Sequence, residues 1–329
     1  MCTMDDGLFR QRERTIDNIK RIYAVVYSIS LTNVLRDIFV YCQSSLADRT
    51  SDNFAAGLSL RVVMLVVFTS TISVFAFQAD KFLDLRYALR PSPLIPERCQ
   101  TMPRWRRGDF AWDAISLIVS LVPFTLMSYA FEDEIVRRFG ILPFYAAYLL
   151  QLGMPLVFLL ITRFRHLCAG RGDAAPALPA GHNLSEEARY AVLSFHWFLT
   201  NGIVLIALTA LYCAIGSFRH FCGTIPPGVF QWTSIILFTL IALARNIYDY
   251  LSAWPFLYIN TRQVDPVDLT PMMLMIQRHN PQRITVFDLT GLIAVVFVSI
   301  AIYNVCATLS PAACPAPAPI PAGASPTAK

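Results

Sequence analysis

The chain has 329 residues, 55% of them hydrophobic and only 15% charged, with a formal net charge of +5 and a mean hydropathy of +0.50. Soluble domains carry about 25% charged residues, and the apolar residues here gather into runs close to the ~20 needed to cross a bilayer core. Together these exclude a soluble globular domain, and the ~10-residue alternating segments of a β-barrel do not occur. The expected fold is an all-α polytopic membrane protein with about seven transmembrane helices.

The N-terminal segment is polar, with Asp5, Asp6, Arg10, Arg12, Glu13 and Arg14. It lacks the apolar core and small-residue cleavage site of a signal peptide, so the first span, 22–42, is read as a retained helix. That span is interrupted by Asn33, Arg36 and Asp37. With Thr32 they cover an arc of roughly 140°, which cannot face lipid and is expected to look inward. Span 2, 59–78, runs into a stretch free of proline and glycine as far as Arg90 and is expected to project from the membrane with Asp80, Lys81, Asp84 and Arg86. Its Thr69, Ser70, Thr71 and Ser73 permit close packing or line a pathway. The connection that follows is basic and aromatic, and Trp105 among Arg104, Arg106 and Arg107 reads as an anchor to anionic headgroups.

Spans 3 and 4, 110–130 and 142–162, flank the acidic run Glu132, Asp133 and Glu134, the expected partner of Arg36. Pro143 and Pro155 predict a kink in span 4. The linker after it contains an Arg-Gly-Asp triplet and one glycosylation-type triplet, Asn183-Leu184-Ser185, on a side where neither has a role. Span 5, 190–210, carries His196 and Asn201. Span 6, 231–244, continues through Arg245, Asn246 and Asp249, and span 7 covers 287–307. Between spans 6 and 7 a short amphipathic helix begins near Pro271. The tail from Pro311 is Pro/Ala-rich and is expected to be disordered.

Twenty of the 27 Lys and Arg residues fall in the N-terminal segment and the 2–3, 4–5 and 6–7 connections; six fall on the other side, and Arg36 stands apart. The positive-inside rule then puts the N-terminus in the cytoplasm and the C-terminus outside. Basic residues hug helix ends instead of forming one patch, so nucleic acid is not an expected partner. The lipid bilayer is, with a homo-oligomer or a protein partner as a further possibility. On this topology Cys213, Cys222, Cys306 and Cys314 lie at the outer side as candidate disulfide cysteines, with the pairing open.

Three short matches recur in the same order: Leu31-Thr32-Asn33 with Leu199-Thr200-Asn201, Ala79 to Asp84 with Ala244 to Asp249, and Asp113 with Asp288. They imply two parallel three-helix units joined by a linker helix, a 3+1+3 arrangement related by an axis along the membrane normal. The chain then divides into 1–21, a cytoplasmic segment; 22–133, unit 1; 134–189, the linker helix and cytoplasmic linker; 190–308, unit 2; and 309–329, the tail.

Asn33 and Asn201 each fall about 16 Å into a ~30 Å core. They read as two faces of a central pathway or as hydrogen bonds between neighbouring helices. Arg36 and Asp37 read as an outer gate or as interface charges, and His196 as a proton-coupling or structural residue. Asp84, Asp113, Asp249 and Asp288 read as a ring of inner-mouth acids that attracts cations or, for Asp113 and Asp288, as helix caps. No phosphate loop, metal motif or nucleophile elbow is present, so no enzyme activity, cofactor or metal is expected. The expected function is a channel or carrier passing a cation or small polar solute. The alternative is a membrane-embedded sensor or assembly subunit that binds a partner through its cytoplasmic loops.

Overall fold

The computed structural model describes residues 6–44, 52–87, 107–168, 197, 200–212 and 229–257. All regular structure among them is helical: α1 Asp6–Ser44, α2 Asp52–Tyr87, α3 Arg107–Val119, α4 Val122–Tyr129, α5 Asp133–Phe139, α6 Leu142–Cys168, α7 Thr200–Tyr212 and α8 Val229–Leu257. Helices are what this composition requires, because hydrocarbon offers no partner to a backbone N–H or C=O. Four stretches are long and apolar enough to cross a membrane: Arg14–Ser44, Phe54–Asp80, Phe110–Tyr129 and Trp232–Ser252. The bent pair α5 and α6 makes a fifth if counted as one span. The expected seventh span, the 2–3, 4–5 and 6–7 connections and the tail lie outside the described residues.

The inward face of α1 is a stripe of Ile16, Ile19, Tyr23, Tyr27, Ser30, Val34 and Tyr41 at helical spacing. Its other face exposes Val25, Ile29 and Phe39, each by more than half. An apolar exterior of this kind suits lipid and not water. The stripe corrects the inward arc expected from the polar residues: Thr32 and Arg36 are exposed, Asn33 is half-buried, and only Asp37 is largely covered. Two local bonds explain how these groups tolerate their place. Thr32 donates to the Ser28 carbonyl at 2.7 Å, and Arg36 folds onto its neighbour Asp37, with Nη2 to Oδ1 at 2.9 Å. Adjacent helical side chains diverge, yet the arginine is long enough to close the gap.

Span 3 is broken into α3 and α4. Pro123 sits at the first turn of α4, where its missing N–H and its ring break the ladder from α3. The turn closes through Leu121 N–H to the Ile118 carbonyl at 3.0 Å. α6 continues through Pro155 as one helix. The sharp change of direction comes before it: α5 and α6 meet at 96°, across Gly140 at φ 59°, a backbone conformation that favours glycine.

α1 packs on α2 and α4, α4 on α6, and α2 on α8. The helices α2 and α8 run parallel, since Asn246 meets Ser70 and Tyr250 meets the Phe77 ring 4.9 Å away. Toward the end marked by Tyr41 and Asp133, the bundle is filled by aromatic rings. Phe68 packs edge-on to Phe131, Phe131 edge-on to Phe144, and Tyr145 stacks on Phe238. Tyr145 also donates to the Ile235 carbonyl at 3.0 Å. The hydroxyls Thr69, Thr71 and Ser73 each donate to a carbonyl one turn back on α2, which satisfies their donors without a neighbouring helix.

Candidate functional site

Toward the opposite end of the bundle, where Lys20 pairs with Asp80 at 2.7 Å, the packing gives way to a cavity of about 130 Å³. Its wall draws on α2, α3, α6, α7 and α8, and on Trp197 just before α7. Much of it is apolar, through Phe75, Phe82, Leu117, Leu152 and Phe158. Into this surface the helices bring polar groups that sit apart in sequence: Gln78, Asp113, Gln151, Trp197, Asn201 and Arg245.

Arg245 organises one side. Its Nε donates to Asn201 Oδ1 at 3.1 Å, Nη2 donates to the same oxygen, and Nη1 donates to Asn246 Oδ1 at 2.9 Å. Nη2 also lies 2.9 Å from Asp249 Oδ2, one turn further along α8. Asn246 in turn donates to Ser70 Oγ and Thr71 Oγ1 at 3.0 and 3.1 Å. Asp249 is fully buried and Asn246 nearly so. A carboxylate at such depth needs a counter-charge, and the contact with Arg245 supplies it although it falls outside hydrogen-bond geometry. The i, i+4 spacing places the acid on the arginine's face of α8, and the amides tie α8 to α7 and α2.

Across the cavity wall three buried polar atoms have no hydrogen-bond partner among the described residues: Gln78 Nε2, Gln151 Oε1 and Trp197 Nε1. An unmet buried group of this kind costs about 1–3 kcal/mol.

A second cluster closes the Tyr41 end. Arg61, 1% exposed, lies on α2 with Nη2 2.8 Å from Asp133 Oδ1 and its guanidinium 3.7 Å over the Tyr41 ring. Nη1 donates to the Gly57 carbonyl at 3.2 Å. Arg137 takes the other oxygen of Asp133 at 2.6 Å. A Cβ at Gly57 would collide with the Tyr41 hydroxyl, so glycine is what lets the ring close over Arg61.

The residues singled out from sequence are divided by this geometry. Asn201 and Asp113 line the cavity, and both are buried. Asn33 and Asn201 do not pair: Asn201 is held by Arg245, and α1 packs on α2 and α4. Asp249, read as an inner-mouth acid or as a charge paired with nearby Arg245, is a buried partner of Arg245. The partner of the acidic run is Arg61 and not Arg36. His196, Asp288, the Asp84 side chain, Cys213, Cys222, Cys306 and Cys314 lie outside the described residues; Cys42 is described and is a free thiol. Arg61, Gln78, Gln151, Trp197 and Asn246 were not anticipated. The signal for two of them was present: Arg61 and Gln151 are polar residues inside apolar runs, which marks a functional position by default. Arg61 instead reads as part of the loop before span 2 when only charge counts are used.

Protein-family models, curated protein sequences and solved structures give no match to this chain.

Proposed function

We propose that the protein is a membrane transport protein, a carrier for a small polar solute, with seven spans in two parallel three-helix units and its N-terminus in the cytoplasm. The observation that carries the proposal is the cavity: it lies between helices of both units and the linker, with unmatched polar atoms set in an apolar wall. Ligand sites have this character, a mostly apolar concavity with a few convergent polar groups. The parallel packing of α2 on α8, the second helix of each unit, supports a twofold relation along the membrane normal. On the charge-bias orientation the cavity lies in the cytoplasmic half. The aromatic layer and the Arg61–Asp133 pair fill the outer half. A bundle packed at one end and hollow at the other favours a carrier that alternates between two faces over a continuously open channel.

Reconstitution into vesicles tests this. A solute that the wild-type chain carries should move at least ~10-fold more slowly through folded Gln151→Leu, in which an acceptor in the wall is lost. Wild-type flux in both Gln151→Leu and Phe82→Trp, the second of which narrows the cavity, would remove the cavity from the pathway.

A further inference from the structure

We infer that the cavity takes an uncharged solute of polyol or carboxamide type, with about six to eight non-hydrogen atoms, and not an ion. The inference rests on the transport reading and names its substrate class. It follows from which wall groups are already engaged and which are open.

The charged groups are engaged. Arg245 uses Nε, Nη1 and Nη2 on Asn201, Asn246 and Asp249. An anion would have to displace the buried Asp249 to reach those donors. A cation would stand against Arg245 in a wall that screens charge poorly. Asp113 also interacts within the protein. The wall residues whose buried polar atoms lack a partner are neutral: Gln151 at Oε1, Gln78 at Nε2 and Trp197 at its indole N–H. Trp197 only donates, whereas a glutamine amide presents a donor and an acceptor. The solute therefore needs acceptors for Trp197 and Gln78 and a donor for Gln151, which a hydroxyl pair or a carboxamide supplies. Volume gives the scale. An engineered apolar cavity of about 150 Å³ takes up benzene, so about 130 Å³ suits a molecule of similar bulk. Phe75, Phe82 and Phe158 would cover its carbon edge.

The test uses the full chain in two measurements. Flux of glycerol, erythritol, choline and acetate is followed in proteoliposomes with and without an imposed potential. Thermal unfolding of the purified protein is followed with each probe, in wild type and Gln151→Leu. The variant should fold, because exchanging an unmet buried acceptor for an apolar group of similar size is close to neutral. Expected are glycerol or erythritol flux ~10-fold above protein-free vesicles, insensitive to voltage, and a rise in unfolding temperature in wild type that Gln151→Leu lacks. Voltage-driven choline flux, or saturable acetate flux, with the neutral probes at background would overturn the uncharged substrate and leave transport standing. Gln151-dependent stabilisation by a neutral probe with no flux would support the site and overturn transport. Neither flux nor stabilisation by any neutral probe would overturn the inference outright.

Discussion

Asp133→Ala is the most informative single substitution, because it strips the counter-charge from a buried guanidinium. Arg61 is 1% exposed and Asp133 31% exposed, 2.8 Å apart. Removing one partner of a buried pair costs about 3–5 kcal/mol, since the other charge stays behind. Two contacts soften the loss. Arg61 keeps the Gly57 carbonyl at 3.2 Å and the Tyr41 ring at 3.7 Å, the ring contact being worth about 2 kcal/mol when desolvated. Water also reaches Asp133, so the lower figure applies: about 3 kcal/mol, or roughly a hundredfold in the folded-to-unfolded ratio. The lost surface pair with Arg137 adds only about 0.5 kcal/mol, which Arg137→Ala reports separately. The double variant Arg61→Met/Asp133→Ala should recover most of the loss, since an apolar replacement of a buried pair is often neutral or stabilising. Reversible unfolding in mixed micelles, followed by circular dichroism, reads wild type, Arg61→Met, Asp133→Ala, Arg137→Ala and the double variant. A cost under about 1 kcal/mol for Asp133→Ala, or a double variant as unstable as the sum of the singles, would refute the reasoning.

Gly57→Ala should lose about 1–3 kcal/mol in the same assay, because the new methyl drives Tyr41 off Arg61; a neutral result would show that the ring approaches less closely. The two asparagines should part company. Asn201→Leu should cost about 1.5–3 kcal/mol by depriving Arg245 of its acceptor, while Asn33→Leu should stay within about 0.5 kcal/mol of wild type; equal effects in stability would restore a shared role. Cys42, as the only cysteine kept, should react with an impermeant maleimide added outside intact cells. Reaction only after permeabilisation would reverse the proposed orientation.

Membrane character was legible in the chain alone, because hydrocarbon imposes one condition on every residue of a span: satisfy the backbone by helix and show carbon outward. Long apolar runs therefore mark α1, α2, the α3–α4 pair and α8 without any knowledge of their neighbours. That Asn201 was out of place in lipid was also visible, since a polar group at depth needs a partner wherever it sits. What each group bonds was not. Arg245 with Asn201, Asn246 with Ser70, and Arg61 with Asp133 join residues from 44 to 176 positions apart. Such pairings depend on how helices rotate about their axes, and several rotations serve an apolar exterior equally well. For α1 the tyrosine stripe, and not the polar arc, settled that rotation. The 96° turn between α5 and α6 falls at Gly140, whose left-handed φ no reading of the prolines marked. Residue type thus declared which positions were out of place in lipid, and only the packed bundle decided which of them meet, because those meetings are made across helices and not along them.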